Sequence, residues 1–188
     1  MRRGLLLCGL LVVCFMAIST VASAEDRWYL DFKQVKMDRV LVKIGETQTP
    51  YWYLIYKVTN PTDESISLSL QLKAYSDVGK KAYIEWFSPL AVKTIAAKEH
   101  RAFKNVQEMR GEIGPGETFE AVALFKNVHE GTDNLRIEVF GLWDRVTYEK
   151  GQLKVEDKVL NLYFFRPGDE FYPQFDRFFF KKQKWTVL

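Results

Sequence analysis

Residues 51–75 read YWYLIYKVTN, then PTDE, then SISLSLQLKAY. In the second run Ile66, Leu68, Leu70, Leu72 and Ala74 alternate with Ser65, Ser67, Ser69, Gln71 and Lys73. A period of two buries one set and leaves the other in water. In the first run Trp52, Leu54, Tyr56 and Val58 form one apolar face. Tyr53, Ile55, Lys57 and Thr59 form the other, which is itself partly apolar. A strand apolar on both sides belongs near the middle of a sheet. Pro61 cannot donate to a ladder and Asp63 favours turns. The pattern therefore predicts a β-hairpin closed by residues 61–64.

The N-terminal residues have a different logic. Arg2 and Arg3 give a positive start, residues 4–18 are apolar, and Ala22-Ser23-Ala24 is a small-residue cleavage signal. These features predict a signal peptide over residues 1–24 and a single β-sandwich domain over residues 25–188, periplasmic or secreted after cleavage. Cys8 and Cys14 both lie in the apolar stretch, behind the bulky Leu7 and Val13. A lipoprotein site wants a small residue there, so no lipid anchor is expected. The remaining chain has no cysteine and must rely on its core rather than on disulfides. It is long enough for one sizeable core. With Arg2 and Arg3 removed, 25 basic residues face 24 acidic ones. That balance gives no electrostatic footprint for nucleic acid. Nothing after Leu30 is long and apolar enough to predict a membrane span in the mature chain.

Further along, residues 28–44 hold two alternating sets out of phase, which predicts a bulge or bend near Asp38 and Arg39. Residues 45–50 read as a loop, 77–80 as a turn and 82–87 as a short edge strand. Ser88 is a helix cap and Pro89 fits the first helical position. The run LAVKTIAAKE then predicts a short helix with Val92, Ile95 and Ala96 on one side, crossing between strands or lying over one end of the sandwich. Residues 103–113 read as extended, and Gly114-Pro115-Gly116-Glu117 as a turn. Strands are predicted over 118–125, 135–140 and 159–165, with 127–133 as a loop. Residues 146–157 are charged and irregular, and 166–169 turn the chain again. Residues 178–180 and 185–188 end it as a last strand or hairpin. Roughly eight strands without βαβ alternation predict an all-β fold. The expected architecture is an immunoglobulin-like antiparallel β-sandwich with one short helix, a barrel being the alternative.

The stretches WYLIYKVTNPTDESISLSLQLKAYSD, GEIGPGETFEAVALF, LRIEVFGL and LNLYFFRPGDEFYPQFDRF together resemble exported bacterial proteins with an immunoglobulin-like β-sandwich domain. The resemblance covers most of the mature chain. It implies a fold and a compartment, and it supplies no catalytic residues.

The residues themselves point away from catalysis. His100 and His129 have no zinc-ligand spacing and no cysteine nearby. There is no Gly-x-Ser-x-Gly elbow and no phosphate-binding glycine loop. No cofactor is expected. Asp169, Glu170 and Asp176 are three carboxylates that would suit Ca²⁺, or would pair with Arg166 and Arg177. Phe171, Tyr172, Phe175, Phe178, Phe179, Phe180 and Trp185 are denser than one strand face can bury. They either pack the core or, where exposed, stack on sugars or a partner protein. Tyr51, Tyr53 and Trp86 carry the same two readings. Lys181-Lys182-Gln183-Lys184 would meet anionic lipid or polysaccharide, or guard an exposed edge strand. The expected function is non-catalytic binding or scaffolding of another envelope protein. Tyr172, Phe175, Trp185, Asp169, Lys181 and Lys182 are the candidate surface. A carbohydrate-binding module built on the C-terminal aromatics is the alternative.

Overall fold

A computed structural model describes residues 25–149, 152–167 and 177–188. In chain order the elements are β1 (Glu25–Tyr29), β2 (Asp31–Ile44), β3 (Thr47–Thr59), β4 (Ile66–Leu68), β5 (Gln71–Ser76), β6 (Ala82–Ile84), α1 (Pro89–Glu99), β7 (Gly111–Ile113), β8 (Thr118–Lys126), β9 (Asn134–Phe140), β10 (Trp143–Glu149), β11 (Gln152–Glu156), β12 (Lys158–Phe165) and β13 (Phe179–Val187). A three-stranded sheet, β2-β3-β8, and a five-stranded sheet, β13-β12-β9-β5-β6, form the two layers of a β-sandwich. A third sheet, β1-β10-β11, and the pair β4-β7 complete it, and every strand pair is antiparallel.

The core follows from period-two patterning. Trp52, Leu54, Tyr56 and Val58 of β3 and Ala121, Ala123 and Phe125 of β8 face Leu72, Ala74, Ile137, Val139, Leu160 and Leu162 of the opposite sheet, all buried in one cluster. The second face of β3 is buried as well. Tyr51, Tyr53 and Ile55 pack with Val122, Leu124, Phe103 and, from α1, Ala91 and Ile95. Strand β3 is thus central and apolar on both sides, and α1 lies on the outer face of the three-stranded sheet rather than over one end. The helix starts as predicted. The Ser88 hydroxyl accepts from the Ala91 amide and Pro89 occupies the first turn. It stops at His100, whose φ of 56° is left-handed.

The hairpin predicted over residues 51–75 does not form. β3 pairs with β2 and β8, β4 pairs with β7, and β5 pairs with β6 and β9. The two alternating runs face each other across the core instead of lying side by side. Asn60 is the reason. It is fully buried, and its Nδ2 donates to the Glu64 carbonyl at 2.7 Å and the Ile113 carbonyl at 3.0 Å. Its Oδ1 accepts from the Thr62 amide at 3.0 Å and the Thr62 hydroxyl at 2.7 Å. These bonds set residues 60–64 as an arch that carries the chain from one layer to the other. The run 65–75 is itself interrupted between β4 and β5. There Gly141, at φ +79°, comes so close that a Cβ would sit 2.5 Å from the Ser69 carbonyl oxygen.

Other boundaries shift for local reasons. The chain's long hairpin is β2-β3, turned at Gly45-Glu46, and Pro50 lies inside β3 opposite Leu41. The irregularity in β2 falls between Gln34 and Lys36, not at Asp38. Residues 103–110 are mostly turns, and only Gly111–Ile113 is a strand before the Gly114–Glu117 turn. The charged stretch after Trp143 is an ordered pair of strands, β10-β11. No helix among the described residues is long and apolar enough to cross a membrane.

Candidate functional site

The last strand is the exposed edge of the wider sheet. Among the described residues β13 pairs with β12 alone, over Phe179 to Val187. Its sequence, FFKKQKWTV, would in a regular strand place Phe180 on the same face as Lys182 and Lys184. The register shifts there, with Phe164 opposite Phe180 but Tyr163 opposite Lys182, so Lys181 is the extra residue of a bulge. The bulge re-sorts the faces. Phe180, Gln183 and Trp185 lie opposite the core residues Phe164, Leu162 and Leu160 and share the inner face. Lys182, Lys184 and Thr186 lie opposite Tyr163, Asn161 and Val159 on the outer face.

The inner face of β13 is not covered. Phe180 is 39% exposed, Trp185 42% and Val187 57%. The facing sheet has three strands, with β2 at its edge. Two open hollows mark the gap. One, of about 300 Å³, lies between β2 and the start of β13 and is lined by Val35, Met37, Phe164 and Phe178 to Phe180, with Gln34, Lys36, Asp38 and Arg177 around them. The other, of about 310 Å³, lies at the far end between Tyr29, Trp143, Lys158, Trp185 and Val187. The start of the strand is anchored. Phe178 is buried and meets the Trp52 ring edge to face, with centroids 4.7 Å apart.

The outer face of the same sheet has its own pattern. Registers align Tyr75, Arg136, Tyr163 and Lys182 in one row across β5, β9, β12 and β13. The Arg136 guanidinium lies 4.7 Å from the Tyr75 ring centre and the Lys182 ammonium 5.2 Å from that of Tyr163. The row floors an open groove of about 540 Å³ also lined by Lys80, Lys181 and Asp77. Asp77 is engaged, accepting from the amides of Asp133 and Asn134.

In this row burial, with the Glu138 carboxylate beside it, pushes the Tyr75 hydroxyl up; the other perturbed titratable groups lie outside this groove. Tyr53, buried on the outer face of β3, donates to Glu99 Oε1 at 2.7 Å, and Asp38 Oδ2 is 3.2 Å from the same hydroxyl. Lys36 reaches Glu99 at 2.6 Å and Asp38 at 3.0 Å, and Lys98 reaches Asp38 at 2.9 Å. Burial pushes both carboxyls up. Hydrogen bonds from Lys98, the Arg39 amide and Lys36 to Asp38, and from Lys36 and Tyr53 to Glu99, outweigh it and hold both low. This network fastens the end of α1 to β2 and β3. Glu85 is the opposite case. Both its carboxylate oxygens are sealed from solvent without a well-formed hydrogen bond. Burial pushes its pKa up to about 8, which the nearby Leu72 amide only partly offsets. Of these groups Lys36 and Asp38 also line the hollow between β2 and the start of β13, where both are engaged in the network with Glu99 and Lys98.

Of the residues singled out in the sequence, Trp185, Lys181 and Lys182 come together on β13, with Trp185 inward and Lys182 outward. Tyr172, Phe175 and Asp169 lie outside the described residues, as do Glu170, Phe171 and Asp176. Phe178, Tyr51 and Tyr53 are core residues, whereas Trp86 is half exposed beneath the Lys126 ammonium, 5.3 Å from its ring centre. His100 caps the helix, and His129 Nδ1 accepts from the Gly131 amide. Among the described residues no His, Cys, Asp and Glu cluster could hold a metal ion. Sequence reasoning missed Val187, Tyr75, Arg136 and Tyr163, because only strand register brings them to the site. Comparison with protein-family models, with curated proteins and with solved structures finds no match.

Proposed function

We propose that the chain is an exported, non-catalytic, immunoglobulin-like β-sandwich that binds another envelope protein by accepting an extended segment along β13. The observation that carries the reading is the nine-residue edge strand whose inner-face Phe180, Trp185 and Val187 are left uncovered. An added strand would satisfy the open backbone groups of β13 and place alternate side chains into the two hollows beside it. Covering such rings and side chains stabilises by about 25 cal/mol per Å² of apolar surface. The leader-like residues 1–24 support export. The shifted acids support a non-catalytic role, since Asp38 and Glu99 hold a helix in place and Glu85 is sealed.

In-cell photocrosslinking tests this directly. A photoreactive residue at Gln183 is expected to capture one recurrent protein, and Thr186→Pro is expected to abolish the capture by blocking an edge amide or distorting the strand. The same captured set from a probe at Ile84, on the opposite edge, would contradict the proposal.

A second reading is glycan binding, favoured by the outer-face row. Tyr75 and Tyr163 stand two strands apart, about 10 Å, on either side of Arg136. Resonance shifts in these three residues on adding an acidic oligosaccharide, with β13 amides unmoved, would favour it over strand addition.

A further inference from the structure

We infer that the segment β13 accepts alternates acidic and apolar residues, and that a second copy of β13 is excluded as its occupant; this rests on the strand-addition reading above.

The faces of β13 set the requirement. A strand laid along it sends every other side chain to the inner side, next to Phe180, Trp185 and Val187. There the hollow of about 310 Å³ is lined by Tyr29, Trp143, Trp185 and Val187 with the stem of Lys158, so the positions beside it take apolar side chains. The hollow of about 300 Å³ adds the rings of Phe178 to Phe180 to a rim that carries Lys36, Asp38 and Arg177. The intervening side chains fall on the outer side beside Lys182 and Lys184, with Lys181 lining the groove next to them. Among the described residues no carboxylate pairs with any of the three lysines. Of the acids on this side of the sheet, Asp77 accepts from the Asp133 and Asn134 amides and Glu138 is paired with Arg136 at 3.0 Å. Opposite charges facing each other across a strand pair stabilise by about 0.2–1 kcal/mol each, and like charges destabilise.

The same charges exclude self-pairing. β13 carries three lysines and no acid, so two β13 edges brought together would oppose like charges along their length. Lysines on an edge are a device against that association. Here they leave one kind of strand welcome, since the apolar inner face stays open. The bulge at Lys181 divides the edge, so a strand pairs regularly along about six residues, Lys182 through Val187, and reaches the hollow beside Phe180 only by continuing past the bulge.

The test uses the chain over residues 25–188, isotope-labelled, and three synthetic peptides. One alternates Glu and Val, one Lys and Val, one Glu and Ser. The Glu/Val peptide is expected to shift β13 and β12 amides and the Trp185 indole, and to bind at least tenfold more tightly than either other. The charge-reversed protein Lys181→Glu/Lys182→Glu/Lys184→Glu, all exposed positions, is expected to prefer the Lys/Val peptide. Equal binding of the two charged Val peptides would overturn the charge inference and leave strand addition standing. Failure of all three to move any β13 resonance would overturn both.

Discussion

The Trp52 and Phe178 rings meet edge to face at 4.7 Å and join the central strand of one sheet to the entry of the edge strand of the other. Phe178 is the last core residue before the exposed face of β13 begins. Phe178→Ala is expected to destabilise the fold by about 3–5 kcal/mol, and Phe178→Leu by less. Urea unfolding measures both. A Phe178→Ala cost under about 1 kcal/mol would show that this contact does not anchor the strand.

Asn60 holds the arch between the layers through four hydrogen bonds, one of them to Ile113. Asn60→Ala takes the side-chain donor from the buried Ile113 carbonyl, while the Glu64 carbonyl keeps the Thr62 hydroxyl at 3.1 Å, and is expected to cost about 2–4 kcal/mol. Asn60→Asp presents a carboxylate to those same carbonyls and is expected to cost at least as much. Thermal melts of the two variants side by side check the order.

Glu85 gives the stability a pH dependence of unusual sign for an acid. Its folded pKa is raised to about 8 from 4.5, so the folded state keeps a proton that the unfolded chain has released. Stability from this group is present below 4.5 and is lost as pH rises towards 8. The loss is on the order of 5 kcal/mol across that window. Glu85→Gln is expected to flatten the slope, read as unfolding midpoints at pH 5 and pH 8. Asp38 and Glu99 act in the other direction and lower down. Their folded pKa values are depressed, so their contribution is lost as pH falls below 3.8 and 4.5, the ordinary values of the two groups.

Gly141 is required by close approach as well as by conformation. Gly141→Ala would set a Cβ 2.5 Å from the Ser69 carbonyl at a left-handed φ. A loss of about 2–4 kcal/mol is expected in denaturant unfolding. Gly79, with φ +69° and open space around it, is expected to tolerate alanine at about 1 kcal/mol.

What the sequence made legible was local. Ser88 and Pro89 fix the start of α1 within one turn, and the two apolar faces of residues 51–59 place β3 at the centre of its sheet. The hairpin misreading has a physical cause. Period two states which faces are buried, and it is silent on whether two strands lie side by side or face to face. Asn60 decides that by bonding to Ile113, 53 residues away. The β10-β11 pair carried a signal that charge obscured. Val146 and Tyr148 alternate with polar residues on one side of a two-residue interval, Leu153 and Val155 on the other. At the candidate site Trp185, Lys181 and Lys182 stood out by aromatic and basic density. Their sorting onto opposite faces depends on the bulge at Lys181, which changes the parity of the strand. The Tyr75-Arg136-Tyr163 row depends on register across three strands and leaves no mark in any one of them.

Amide hydrogen exchange on β13, with and without the protein captured through Gln183, tests the central claim most directly. Strand addition predicts that amides between Lys182 and Val187 that face away from β12 slow at least tenfold in the complex, while β6 at the opposite edge is unchanged. Protection confined to Tyr75, Arg136 and Tyr163, with the β13 amides exchanging as in the free protein, would contradict it.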